Sequence, residues 1–329
     1  MFDALLIVSF GGPEGPDDVV PFLQNVTRGR NIPPQRLSEV AQHYQRFGGI
    51  SPINAQCRQL IAGLTAEFAT HHVELPIYWG NRNWHPLLPA TMQQMRDDGI
   101  RRALAFITSP YSSYSSCRQY LDDIARARDL VGPDAPEVQR LRHYFDHPGF
   151  IEPLTRNVAA ALDTVADDDT ALLYSAHSIP VAMARTSDYE AQLSEVARLV
   201  TEAAAPGHPW KLVWQSRSGP PTVPWLEPDV GDHLAALAAD GTRSVVVAPI
   251  GFISDHMEVV FDLDVQAAER AASLGLRFVR AATVGAAPEF VSMIRELVQE
   301  RLDSSTPRRT LGRLGVRPEC AAGCCPAPR

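Results

Sequence analysis

Short apolar runs recur along the chain at Ala4 to Phe10, Ile77 to Trp79, Ala103 to Thr108, Ala171 to Ala176, Leu212 to Gln215, Ser244 to Pro249 and Leu276 to Val279. They are continuous rather than alternating, so each reads as a strand buried on both faces, and the helical patterns between them supply the cover. This βαβ rhythm predicts the α/β class with parallel sheets. At 329 residues and 45% apolar composition, the chain can fill two modest domains. The Asp146-His-Pro-Gly149 turn marks a boundary and divides the chain into domains at 1–148 and 149–287. Phe290, Met293, Ile294 and Leu297 recur at helical spacing, which predicts a helix over 288–302, expected to pack on the first domain. The Ser/Thr/Pro/Arg-rich stretch after Asp303 reads as a linker leading to a cysteine-rich tail, 303–329.

A net charge of -8 with both signs interspersed lacks the basic patch that nucleic acid would require. No apolar stretch approaches the roughly 20 residues needed to span a bilayer. The start of the chain has strand character without a basic region or cleavage site. A cytoplasmic protein with no integral membrane segment is expected. Lys211 is the single lysine, so positive charge rests on arginine, which suits carboxylate binding.

The chemistry concentrates in two segments. Ala248 to Asp262 runs from an apolar strand into a helix whose first turn carries Asp255, His256 and Glu258, with Ser254 or Asp255 able to cap it. On a regular helix Glu258, Asp262 and Gln266 form a line at i, i+4 and i+8, suited to metal or proton traffic, or else a solvated face. Ala171 to Pro180 delivers His177 to the C-terminal end of a strand, where open α/β sheets place ligands. Taken alone, that imidazole reads as a hydrogen-bonded structural group.

Together with their neighbours, these segments resemble ferrochelatase, the family that inserts ferrous iron into a porphyrin. The resemblance is carried, in order, by Leu5-Leu-Ile-Val-Ser-Phe-Gly-Gly-Pro13, Tyr44-Gln-Arg-Phe-Gly-Gly-Ile-Ser-Pro-Ile53, Ser175-Ala-His-Ser-Ile-Pro180, Trp214 to Pro228, and Ser254-Asp-His-Met-Glu258. It implies two Rossmann-like, chelatase-like domains with a porphyrin cleft between them. It also implies His177 as catalytic base and Fe2+ contact, and Glu258 as its partner and second contact. Asp255, His256 and Asp262 are implied as support, on a helix that is distorted in the family. Phe10, Arg28, Arg30, Arg46 and Ser51 become candidates for the porphyrin edge, and Tyr111 and Tyr114 for the cleft wall. Two departures stand out. Phe10 replaces a tyrosine frequent in coproporphyrin-using relatives and cannot ligate iron, and Gln266 replaces a position that can be acidic.

Three of the five cysteines fall within six residues, Cys320, Cys324 and Cys325. Clustered thiols in a reducing compartment more often bind metal than form disulfides. Zinc, an iron-sulfur centre or a tail of unligated thiols all fit that spacing. The resemblance favours a [2Fe-2S] cluster whose fourth ligand is Cys117, with Cys57 the competing candidate but better read as a buried inert thiol. The tail, and the lack of a membrane-binding extension, resemble bacterial enzymes acting on coproporphyrin III, which is therefore expected in preference to protoporphyrin IX. A monomer meeting an iron donor and a haem acceptor transiently is the implied setting. A cobalt chelatase of the corrin pathway and a non-catalytic porphyrin or iron-sulfur protein are the rival readings.

Overall fold

The computed structural model describes residues 2–29, 32–165, 169–219, 222–315 and 323–327. It divides into two compact units, Met1–Thr108 with Gln119–Leu141 and Ile294–Thr306, and Ser109–Arg118 with Arg142–Met293 and Pro307–Arg329. In the first unit, four parallel strands lie in the order β2 (Ile77–Asn81), β1 (Ala4–Ser9), β3 (Arg102–Ile107), β4 (Glu137–Arg140). Every residue of β1 is buried, as its unbroken apolar run requires. Leu6, Val8, Ala103 and Ala105 pack there against Met92, Met95, Tyr120 and Ile124 from two covering helices. The sequence pattern missed β4. Its Glu-Val-Gln-Arg sequence is mostly polar because it pairs only with β3 and closes an edge.

The second unit repeats the plan, with four parallel strands in the order β6 (Trp210–Gln215), β5 (Thr170–His177), β7 (Ser244–Ala248), β8 (Arg277–Arg280). Val245 and Val247 of β7 and Leu173 of β5 pack with Leu234, Val259 and Leu263. The central strands β5 and β7 therefore carry the apolar load, and their C-terminal ends open onto loops.

The unit boundaries differ from those expected. The chain passes between units at Leu141/Arg142 rather than near residue 148, and Ser109–Arg118 joins the second unit. The helix Pro288–Leu302 is shared between the units, and its later half packs in the first through Arg295 to Glu67 at 2.7 Å and Arg301 to Gln139 at 2.6 Å. The stretch read as a linker is fastened to the second unit. Leu311 N donates to Asp146 O at 2.9 Å, Thr310 Oγ1 donates to the Asp146 carboxylate, and Arg313 N donates to Glu195 Oε1 at 2.6 Å. Among the described residues, no helix is long and apolar enough to cross a membrane.

Candidate active site

His177 ends β5, and the register pairs it with Gln215, the last residue of β6. The loop after β7 must cross the end of β5 to bring Glu258 there, and Gly251 permits it. A Cβ at Gly251 would lie 2.6 Å from Ala176 Cα, and Gly251 N donates to Ser175 O at 3.0 Å. The consequence is a pair, with His177 Nε2 3.3 Å from Glu258 Oε1. His177 Nδ1 lies 2.5 Å from Ser178 O, so Nδ1 carries a proton and Nε2 faces the carboxylate. Behind the pair, Tyr189 Oη donates to His177 O at 3.1 Å, and the buried Gln215 amide donates to Glu258 O.

The helix carrying Glu258 is distorted, as the resemblance implied. A single α-turn, Met257–Val260, gives way to a π-helical segment, Asp262–Ala267, with Gln266 N donating to Phe261 O at 2.9 Å. Neither Ser254 nor Asp255 caps it. His256 does, its Nδ1 accepting from Glu258 N at 3.2 Å while its ring stands edge-on to Phe252, centroids 4.7 Å apart. Asp255 instead pairs with Arg280 at 3.2 Å. Spacing by four overshoots a full turn on an α-helix and falls short of one on a wider π-helix, so the two drifts oppose each other. Glu258, Asp262 and Gln266 thus stay near one line despite the distortion.

Electrostatics separates the carboxylates. Burial opposes charge on His177, yet the Glu258 carboxylate, the Ser178 carbonyl and Asp262 together push its pKa up to about 9. Burial likewise opposes charge on Glu258, but His177 holds it down to about 2. The resting pair at neutral pH is an imidazolium and a carboxylate. The ordinary imidazole value of about 6.5 would leave His177 mostly neutral at that pH, and the contact with Glu258 changes that. Asp262 is pushed up to about 7 by burial and by Glu258, against a hydrogen bond from Ser216. Ser216 adopts φ 63°, a left-handed conformation costly for a residue with a Cβ, which here aims its hydroxyl at Asp262. Burial lowers the pKa of His256.

Sequence reasoning assigned no role to Gln215, Ser216, Tyr189 or Gly251. For the first two, a place at the end of the strand beside His177 was the available signal. The remaining candidates scatter. In the first unit, the two motif segments meet through a bridge between Glu14 and Ile50 and a bond from Ser51 N to Pro13 O at 2.9 Å. Phe10 is half-buried with its ring edge-on to Phe22 and 5.7 Å from the Arg82 guanidinium. Arg28 is exposed and donates to Asn25 at 2.6 Å, and Arg46 is exposed. Arg30 lies outside the described residues. Ser51 was expected at an exposed edge but is 3% exposed, its Cβ packed behind Gly12. Tyr111, expected on a cleft wall, is 1% exposed, since its ring packs between Phe150 and Tyr189 and its hydroxyl donates to Ile250 O at 2.6 Å. Tyr114 is half-buried.

Cys117 is buried in the π-helical segment Tyr114–Arg118, and Cys324 and Cys325 are half-buried and buried. All three belong to the second unit. Cys320 lies outside the described residues. Cys57 is in the first unit, donates from Sγ to Ser9 Oγ at 3.4 Å, and has its thiol pKa raised by burial, a poor thiolate ligand. Among the described residues, no group of three or more His, Cys, Asp or Glu side chains could hold a metal ion.

Two parallel sheets of like order, with polar groups at their carboxyl ends, define a chelatase-type fold. The sirohydrochlorin chelatase SirB of Bacillus subtilis subspecies spizizenii superposes with a TM-score of 0.52 at 12% identity, over 91% of this chain and 95% of that one. CbiX, the terminal enzyme of sirohaem biosynthesis in denitrifying bacteria, gives 0.50 at 17% identity, over 91% and 100%. At such identities the likeness shows the fold alone. Family follows from sequence. Residues 2–302 match the ferrochelatase family. The chain is 52% identical to a ferrochelatase of Rhodopirellula baltica, covering 98% of this chain and 93% of that protein. It is 53% identical to a coproporphyrin III ferrochelatase of Mycolicibacterium smegmatis (94% and 93%) and 50% identical to one of Streptomyces griseus (99% and 94%). The chain belongs to the ferrochelatase family.

Proposed function

We propose that this protein inserts Fe2+ into coproporphyrin III in haem biosynthesis, with His177 and Glu258 doing the chemistry. The observation that carries the reading is the 3.3 Å His177–Glu258 pair at the carboxyl end of a parallel sheet, in a chain about half identical to coproporphyrin III ferrochelatases. Insertion requires the porphyrin to lose two pyrrole protons and the ion to shed water. Fe2+ approaching Glu258 competes with His177 for the carboxylate. The imidazolium, deprived of that field, gives up its proton to the Asp262 carboxylate and so to solvent; the neutral ring then takes one pyrrole proton, passes it on by the same route, and takes the second. Asp262, poised near neutrality and hydrogen-bonded to Ser216, is suited to pass protons onward. Phe10, Arg28, Arg30, Arg46 and Tyr114 remain the candidates for ring and carboxylate contacts. The enzyme is read as a cytoplasmic monomer that meets its iron donor and haem acceptor transiently.

For the tail we keep the reading of a [2Fe-2S] cluster on Cys117, Cys320, Cys324 and Cys325. Support comes from Cys117, Cys324 and Cys325 sharing one compact unit, and from the burial of Cys325 beside the half-buried Cys324, between the exposed Gly323 and Pro326. Soft thiolates suit iron-sulfur centres, and such a group would tie the tail to the second unit.

An anaerobic assay with Fe2+ and either coproporphyrin III or protoporphyrin IX, read as haem formed, tests the function. Faster turnover of coproporphyrin III is expected. Insertion of Co2+ into a corrin precursor, with no Fe2+ insertion into either porphyrin, would overturn the reading.

A further inference from the structure

Arg280 ends the edge strand β8 and reaches both ends of the segment carrying His256, Glu258 and Asp262. Its guanidinium forks onto Asp255 (Nη1 to Oδ1 3.2 Å, Nη2 to Oδ2 3.3 Å) and onto Asp264 (Nε to Oδ1 2.5 Å, Nη2 to Oδ2 2.9 Å). Thr283 Oγ1 adds a bond to Asp255 Oδ1 at 2.9 Å. The stretch between the two aspartates is one α-turn followed by the start of a π-helical segment, which runs on past Asp264 to Ala267. Neither is stable by itself, because a single turn does not repay nucleation and π geometry is rare. What holds its shape must come from outside it. The Arg280 side chain is 17% exposed, so its charge-assisted bonds are only partly screened, and its planar fork fixes direction as well as distance.

We propose that Arg280 is a positioning residue for metal insertion, stapling Asp255 to Asp264 so that the chain between them presents Glu258 to His177. It touches neither His177 nor Glu258 and acts through the backbone they depend on. The inference rests on the role assigned to Glu258 above, so the test separates the two. Arg280→Ala, Arg280→Lys, Glu258→Gln and the Arg280→Ala/Glu258→Gln double variant are compared on two readouts. One is Fe2+ insertion, with kcat and KM for coproporphyrin III resolved. The other is Co2+ binding without porphyrin, followed by its visible absorption. A displacement on the order of 1 Å can cost about 100-fold. Arg280→Ala should therefore lower kcat at least about 10-fold, with KM for the porphyrin within about twofold. Arg280→Lys, which keeps the charge without the double fork, should fall in between. In the Glu258→Gln background, Arg280→Ala should change kcat and Co2+ affinity less than about twofold, because there is no carboxylate left to position. Equal losses in both backgrounds, or an unchanged kcat, would overturn the proposal. If the unmutated protein inserts no iron, the functional reading fails on its own, and the Co2+ cycle still decides the role of Arg280. If Arg280→Ala does not fold, as judged by its thermal melt, Asp264→Asn takes its place in the cycle.

Discussion

Replacing Glu258 by Gln keeps the shape of the side chain and removes the charge that holds His177 near 9. Burial then acts against the imidazolium, opposed only by the Ser178 carbonyl and by Asp262, so His177 should titrate at or below its ordinary value of about 6.5. At pH 7.5 the protonated fraction would fall from about 97% to about 10%. Histidine side-chain NMR, with His177 assigned by its loss in His177→Ala, measures this directly. Turnover should drop about 100-fold to 10,000-fold, the range for a general acid-base group. The same pair sets a stability window. A pKa raised in the folded state stabilises fully below about 6.5, and that contribution is lost as pH climbs through about 9. A depressed one, as for Glu258, stabilises fully above about 4.5 and is lost as pH falls through about 2. The difference in Tm between wild type and Glu258→Gln should thus be widest between about pH 4.5 and 6.5 and should close above about 9. A His177 that titrates within about half a unit of its wild-type value in Glu258→Gln would refute the electrostatic argument.

His177→Ala should abolish haem formation while coproporphyrin binding, read by fluorescence quenching, stays within a few-fold; near-normal turnover would remove His177 from the mechanism. Cys324→Ser should lose visible absorption, iron and acid-labile sulfide, and lower Tm, before turnover changes, while Cys57→Ser should keep the cluster; zinc without sulfide in the wild type would refute the ligand set. Gly49→Ala should destabilise by about 1–3 kcal/mol in a denaturant melt, because Gly49 has φ 77° and a Cβ there would lie 2.4 Å from Pro16 Cα. Unchanged stability would mean that the two motif loops of the first unit are not locked together.

Sequence alone determined the class of fold and singled out His177 and Glu258, two residues that the structure brings together. Unbroken apolar runs such as Leu5 to Val8 and Val245 to Val247 can be satisfied only between two covered faces, so they announce central parallel strands wherever they occur. His177 was legible because it follows such a run directly, and Glu258 because it opens the helix after another. Local pattern could not show β4, whose polar edge position depends on β3, nor the replacement of Ser254 or Asp255 by His256 as cap. Ser51 and Tyr111 are polar or amphipathic side chains whose burial depends on what packs over them, Gly12 in one case and Phe150 and Tyr189 in the other. The protonation of His177, the upward shift of Asp262, and the attachment of the tail to Asp146 and Glu195 were likewise decided in three dimensions. Strand character is written in neighbouring residues, whereas charge state and burial are set by groups brought close from tens of positions away, as Gly251 does when it lets the loop after β7 cross the end of β5.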